Sequence, residues 1–272
     1  MILTRKDNKV LTRSYLEALY HQYNTMEGKI DPILFPKRFS KYNDIEAAAF
    51  ISAVFAYGNI KQINAALTKL FLLIGENPVN FLQSFPERLH SIEKNIPGHR
   101  FYSPEDTAAL LHSMSKIYTT HGSLEILFKQ CLKESENNFK NSIHLFHNTL
   151  RAEAANFIGE YSHGLRFMFP DPDKGSACKR LNLFLRWMVR KDNIDFGIWK
   201  VISPADILIP VDTHISAVAR RYKLTERKNI SWAMAEEITN ALRKFDSKDP
   251  VRYDFALCHN EILSTAKRRK SL

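Results

Sequence analysis

Two short stretches carry the residue types from which an amine and a carboxylate can be brought to work together. In Pro170–Arg180 (PDPDKGSACKR) Gly175 precedes Lys179, and from Lys174 to Lys191 there are six basic residues and no acidic one. Further on, Ile209–Ile215 (IPVDTHI) places Asp212 at the head of a helical run. A lysine amine is a nucleophile once it has lost its proton, and burial and neighbouring cations favour the neutral form. A carboxylate can take up a proton or stabilise positive charge as it develops. Each residue also has a structural reading, Lys179 as a solvated lysine on an amphipathic helix and Asp212 as an N-cap. Asp212 can hold both offices.

The elements that must position these residues are helical. A glycine turn that opens a helix points backbone N–H groups outward, where the helix dipole helps them hold a phosphate. After Gly175, the residues Lys179, Asn182, Arg186 and Arg190 fall on one stripe, opposite Leu181, Phe184, Leu185 and Met188. The pattern predicts a cationic face and a core face. Ile207–Val211 (ILIPV) is short, apolar and interrupted by Pro210, which predicts an extended segment feeding a helix that begins near Asp212.

Helical signals run through the rest of the chain, and alternating strand patterns are scarce. Asn43 and Glu46 have capping-box spacing ahead of the alanine-rich, apolar run Asp44–Tyr57. Past Gly58 and Asn59, one face of a second helix is marked by Ile60, Ile63, Leu67, Leu70 and Phe71. Ser103-Pro104-Glu105-Asp106 combines a hydroxyl cap, a first-turn proline and two acids, so a helix follows through Tyr118. Leu124–Cys131 and Ile143–Phe157 predict two more, Leu165–Lys179 reads as a loop, and a last helix is expected to start near Ser231. The basic tail Lys267–Lys270 reads as a disordered extension that adds salt-sensitive affinity for nucleic acid.

The 272 residues suffice for a proper core, and the formal charge of +10 favours an anionic partner. Three scattered cysteines, Cys131, Cys178 and Cys258, indicate neither a disulfide framework nor a four-cysteine metal site, and fit a reducing compartment. Met1–Tyr20 has no continuous apolar core, so neither a signal peptide nor a membrane span is expected. His144 and His147 lack the H-E-x-x-H arrangement and read as helix-surface residues; no metal and no cofactor are predicted.

These segments together resemble the helix-hairpin-helix DNA glycosylase superfamily. Gly175 and Lys179 have the hairpin-to-lysine spacing of its bifunctional members, and Val211-Asp212-Thr213-His214 matches the aspartate motif of endonuclease III. Phe50–Phe71 is similar to the superfamily's early helical hairpin, with Gln62 near its DNA-probing glutamine. The longer interval from Lys179 to Asp212 and the approach Leu208-Ile209-Pro210-Val211 look more like archaeal 8-oxoguanine glycosylases. The phrases FLRWMVR, PVDTH and DPVRYDFAL are similar to those of an uncharacterised bacterial family. In the hairpin, Ala177 stands where a second glycine is usual; the C-terminal four-cysteine iron–sulfur motif is absent.

The resemblance implies an all-α, two-lobed fold over residues 1–272, with one lobe at about 44–165, the other formed by 1–43 and 166–272, and a cleft between them. It implies a base-excision glycosylase with AP-lyase activity acting on damaged double-stranded DNA, 8-oxoguanine above all, as a nucleoid-associated cytoplasmic monomer. Lys179 would attack the sugar C1′ and form a Schiff base, with Asp212 as its acidic partner. Gln62, Asn59, Gly175, Ser176, Arg180 and His214 would contact DNA. Trp187 and Trp199 would stack on the everted base unless they serve as packing. The rival expectations are a non-catalytic helix-hairpin-helix DNA-binding protein and a helical protein–protein adaptor with a positive face.

Overall fold

The structure, a computed structural model, describes residues 11–270, with side chains through residue 265. The first ten residues and the side chains of the basic tail therefore lie outside the described residues. Within that range the chain is all-helical, and its only extended pairings are two isolated bridges, His99–Tyr102 and Lys191–Phe196. No described helix is long and apolar enough to cross a membrane.

The chain order begins with α1 (Arg13–Tyr23), α2 (Tyr42–Phe55), α3 (Ile60–Ile74), α4 (Pro78–Gln83) and α5 (Phe85–Ile92). It continues with α6 (Pro104–Thr120), α7 (Leu124–Glu134), α8 (Phe139–Ile158) and α9 (His163–Met168). The last four are α10 (Lys179–Val189), α11 (Thr213–Arg221), α12 (Trp232–Arg243) and α13 (Asp254–Lys270). Many starts follow from local chemistry. Ser103 and Asp106 form a reciprocal capping box on α6, Asn59 caps α3 through Lys61 N, and Ser231 caps α12 through Met234 N.

Helix α2 is apolar around nearly its whole circumference, so it must sit inside the molecule, and it is buried from Asp44 to Phe55. It packs on α10, while α6 packs on α4 and α8, and α7 on α8. A second set of contacts joins α13 to α1 and α11.

The expected capping box at Asn43 and Glu46 does not form: Lys41 is the N-cap of α2 and no side chain caps it. Glu46 is fully buried and points away from its own helix start. It accepts hydrogen bonds from Tyr118 Oη (2.7 Å), Leu124 N (2.8 Å), Glu125 N (3.0 Å) and Trp199 Nε1 (2.8 Å). Burial pushes its carboxyl above the usual range, against the pull of these donors. Glu46 thus pins the N-terminus of α7 to α2, a long-range duty that spacing alone does not distinguish from a local cap.

Two further expectations change. The stretch Leu165–Lys179 belongs partly to α9, so it is not all loop. The helix at Ser231 is not the last one. After a Pro250–Tyr253 turn, α13 begins at Asp254, and its backbone remains helical through the basic tail to Lys270, where disorder was expected.

Candidate active site

The hairpin before α10 is a tightly self-bonded turn. Gly175 adopts a left-handed conformation (φ 82°), as the glycine position requires. Lys174 N and Ser176 N donate to Asp171 O, and Gly175 N donates to Pro172 O at 3.0 Å. Cys178 N donates to Ser176 Oγ at 3.2 Å. The amides of Gly175 and Ser176 are therefore engaged inside the turn rather than offered outward. Cys178, the N-cap of α10, is itself left-handed (φ 44°) and supplies no side-chain cap. The first-turn amides of α10, which have no partner within a helix, are thus the part of this hairpin suited to an anion. Ala177 is buried, and its carbonyl accepts from Asn182 Nδ2 at 2.9 Å.

Lys179 is the first residue of α10, so its side chain leaves the helix at the turn. Its Nζ donates to Ala56 O at 3.2 Å, just past the end of α2, and lies 3.6 Å from Asp212 Oδ2. Asp212 divides its carboxylate between two tasks. Oδ1 accepts from His214 N and Ile215 N, both at 2.9 Å, and caps α11; Oδ2 faces the lysine. The cap fixes the carboxylate's orientation, and the pair stays half-buried, with 32% and 22% of the side chains exposed. An amine and an acid distant in sequence are thereby held within reach of one another and of solvent.

Beside them lies a cavity of about 210 Å³. The α2–α3 connection lines it through Ala56, Tyr57 and Gly58; Lys179, Asp212 and His214 line it as well, and α13 adds Asp254, Phe255, Cys258 and His259. Asp31 and Pro32 complete the far side. A cavity of roughly 150 Å³ already accommodates a benzene ring, so this one has room for a nucleobase. His259 Nδ1 lies 3.0 Å from Phe255 O and, facing a carbonyl, must carry the proton. Burial lowers the pKa of this imidazole, which leaves Nε2 as an acceptor in the neutral ring. The ring packs on Phe255 with centroids 3.9 Å apart. Burial also pushes the Cys258 thiol well up, so it stays protonated.

The cationic stripe expected on α10 is largely interior. Asn182, Arg186 and Arg190 are all buried. Arg186 reaches Asp195 (3.2 Å) and Asp254, and Arg190 reaches Asp195, Asp249 (2.8 Å) and Asp192 (3.1 Å). The expectation of a cationic face on this helix is corrected accordingly, because carboxylates neutralise both guanidinium groups. The physical reason is that burying a guanidinium requires counter-charge, and the loop Asp192–Asp195 supplies it. Burial raises the Asp254 carboxyl to about 6, and Arg186 pulls against that rise.

The base-stacking expectation for Trp187 and Trp199 is also corrected. Both are 1% exposed and belong to the core, Trp199 packing on Phe128 and Phe184 while donating to Glu46. Neither lines the cavity. Gln62 is exposed on α3 and lines a separate depression with Arg100 and Lys69. Asn59 is exposed and caps α3. Arg180 lies over the rings of Phe167 (4.4 Å) and Tyr57 (5.2 Å) and donates to Phe167 O.

His147, expected at the surface, is buried, and its Nδ1 donates to Pro170 O at 2.8 Å, bracing the hairpin's entry against α8. His144 gathers with Asp171 and Asp173, whose ligand atoms lie within 4.8 Å of one another. His144 Nδ1 lies 2.9 Å from Asp171 Oδ1 and 3.2 Å from Asp173 Oδ2, and Lys140 lies 3.1 Å from Asp173. The group works as a clamp on the hairpin.

The family described as Protein of unknown function (DUF2400) matches residues 31–263, a span that contains every residue lining the cavity, from Asp31 to Ile262. The chain belongs to the DUF2400 family. No curated protein and no solved structure matches it. The sequence reading missed this DUF2400 chain's contributions from Asp31, Tyr57, Cys258 and His259 to the cavity wall. The signal for the α13 residues was present in DPVRYDFALCHNEIL, where Phe255 and His259 stand one helical turn apart.

Proposed function

We propose that this DUF2400 chain is a DNA base-excision glycosylase with AP-lyase activity, acting as a monomer on duplex DNA with a damaged base. In this reading the helices form the two-lobed helix-hairpin-helix glycosylase fold, with residues 44–165 as one lobe and the remainder as the other. The cavity is the pocket for an everted base. The observation that carries the proposal is the Lys179 amine held 3.6 Å from Asp212 Oδ2 at the wall of a base-sized cavity.

The chemistry proceeds as follows in this proposal. Asp212 Oδ2 takes the proton that the lysine ammonium must lose and supports positive charge developing on the sugar. The amine nitrogen bonds to C1′ as the C1′–N bond to the base breaks, and the base leaves with the electron pair and gains a proton. Opening of the C1′–O4′ bond yields the Schiff base. Loss of a C2′ proton then expels the 3′-phosphate and cuts the strand.

Oxidised guanine is the substrate class that the pocket favours. His259 Nε2 and the Asp31 carboxylate are acceptors. Guanine presents an acceptor at N7, whereas 8-oxoguanine carries a hydrogen there. These two acceptors would attract the lesion and repel the intact base.

Borohydride reduction tests the proposal on duplexes that contain 8-oxoguanine, an oxidised pyrimidine or an abasic site. The expected result is a covalent protein–DNA adduct with wild type and none with Lys179→Gln. Salt-dependent DNA binding without any adduct would overturn it in favour of a binding module.

A further inference from the structure

An aromatic platform stands next to the amine, outside the cavity. His99 and Tyr102 pair across a tight turn, with N–O distances of 2.8 and 2.9 Å, and Arg100 and Phe101 form its tip. Arg100 sits at φ 55°, a left-handed conformation that costs a non-glycine residue energy and persists only where its surroundings impose it. The imposing partner is Tyr57, whose hydroxyl donates to His99 O and accepts from Phe101 N, and whose carbonyl meets His99 Nε2 at 3.1 Å. Tyr102 Oη adds a bond to Val54 O at 3.1 Å. At the neighbouring Gly58 a side chain would collide with Arg100, since a Cβ there would lie 2.2 Å from the guanidinium.

The result is an exposed ring on a rigid mount. Phe101 is 50% exposed; one side rests on Phe167 (centroids 5.0 Å) and on Tyr57, whose ring is nearly parallel to it at 6.2 Å. Arg100 lies 5.7 Å from both the Tyr57 and Phe101 rings. Tyr57 also lines the cavity, and Ala56 beside it accepts from Lys179. One layer of residues therefore separates the free ring from the amine. The exposed half of the ring adds nothing to that packing, whereas an aromatic flanked by arginine is a surface on which nucleobases stack.

We infer that Phe101, with Arg100 beside it, is the stacking platform for a base left unpaired in the duplex when its partner is everted into the cavity. The inference rests on the glycosylase reading and places Phe101 beside Arg100, which also borders the depression that Gln62 lines.

The test uses the full chain and a duplex carrying a tetrahydrofuran abasic analogue, which has no aldehyde and forms no Schiff base. Phe101→Ala is expected to weaken binding to this duplex about tenfold, with less than about threefold change on an intact duplex. Phe101→Trp is expected to restore the preference. It also adds an exposed indole to a protein whose three tryptophans are buried, and its fluorescence should be quenched by the abasic duplex but not by the intact one. Equal losses on both duplexes, no loss on either, or an unquenched indole would overturn the platform. Wild type that forms a borohydride adduct with a natural abasic site while Phe101→Ala binds normally would sink the platform alone. Wild type that neither traps nor discriminates would sink the platform and the glycosylase reading together.

Discussion

The two ends of α10 have the same kind of sequence and opposite physical lives. At the C-terminal end Arg186 and Arg190 are 3% exposed, and their guanidinium groups are shared among Asp192, Asp195, Asp249 and Asp254. At the N-terminal end Lys179 meets one carboxylate at 3.6 Å and remains partly open to solvent. The buried end joins elements: its charges are matched, and little in it is free to react. The open end is where a single ion pair stays within reach of solvent and the amine borders empty space. A run of basic residues is therefore not one functional unit, and what separates its parts is how many acids the fold brings to each.

Breaking the open end should have the largest effect. Asp212→Asn preserves the cap on α11, because an asparagine oxygen accepts from His214 N and Ile215 N as well as a carboxylate does. It removes the proton acceptor facing Lys179. Base release measured in single-turnover assays is expected to fall by about 10²- to 10⁴-fold, with DNA affinity changing far less; equal losses in both would make Asp212 a structural cap only.

Breaking the buried end should act on stability instead. Arg190→Met leaves Asp249 and Asp192 without their arginine and Asp195 with Arg186 alone, for an expected loss of about 3–5 kcal/mol in denaturant unfolding. Adduct formation per folded molecule should persist. If the variant folds normally but traps no DNA, the division between the two ends fails.

A pH profile sharpens the comparison at the hairpin. His147 is pushed down to about 4 by burial, with Arg180 and Arg151 adding to the effect and the Pro170 carbonyl opposing it. Its folded value lies below the ordinary value of 6.5, so between those two the unfolded chain binds more protons. The stabilisation is complete above about pH 6.5 and drains as the pH falls toward 4, by about 2–4 kcal/mol. His147→Gln should flatten that part of the stability curve; an unaltered slope would remove His147 as its source.

The smallest effect is expected in the cavity. His259→Phe keeps the ring on Phe255 and deletes the Nε2 acceptor. The ratio of 8-oxoguanine release to abasic-site trapping should drop about tenfold, the equivalent of one hydrogen bond. An unchanged ratio would show that His259 does not read the base.

Much of the helical order was legible because helix starts are local. Ser103, Asn59, Asp212 and Ser231 each bond to an amide within three residues, and such signals survive without any knowledge of tertiary structure. The meeting of Lys179 with Asp212 was expected from the resemblance to the helix-hairpin-helix glycosylases; the glycine turn and the capped helix fix where each side chain starts, but nothing local announces that the two meet. The rest was not local. The stripe of α10 has the spacing of a solvated face, and nothing within one helical turn announces that Asp249 and Asp254 will arrive to bury it. Glu46 has the spacing of a cap but is captured by Trp199 and by the start of α7. Trp187 and Trp199 have the chemistry of a base pocket, yet their bulk placed them in the core, and the cavity wall fell to α13, where the reading had expected no further helix.

The most direct measurement is the site of the covalent bond. Wild-type protein is incubated with a natural abasic duplex, reduced with borohydride and digested, and the modified peptide is sequenced by mass spectrometry. The sugar remnant should sit on Lys179, although Lys174 is nearby and more exposed. A remnant on Lys174 or any other lysine, or no remnant at all, would contradict the claim that this amine, set against Asp212, is the nucleophile.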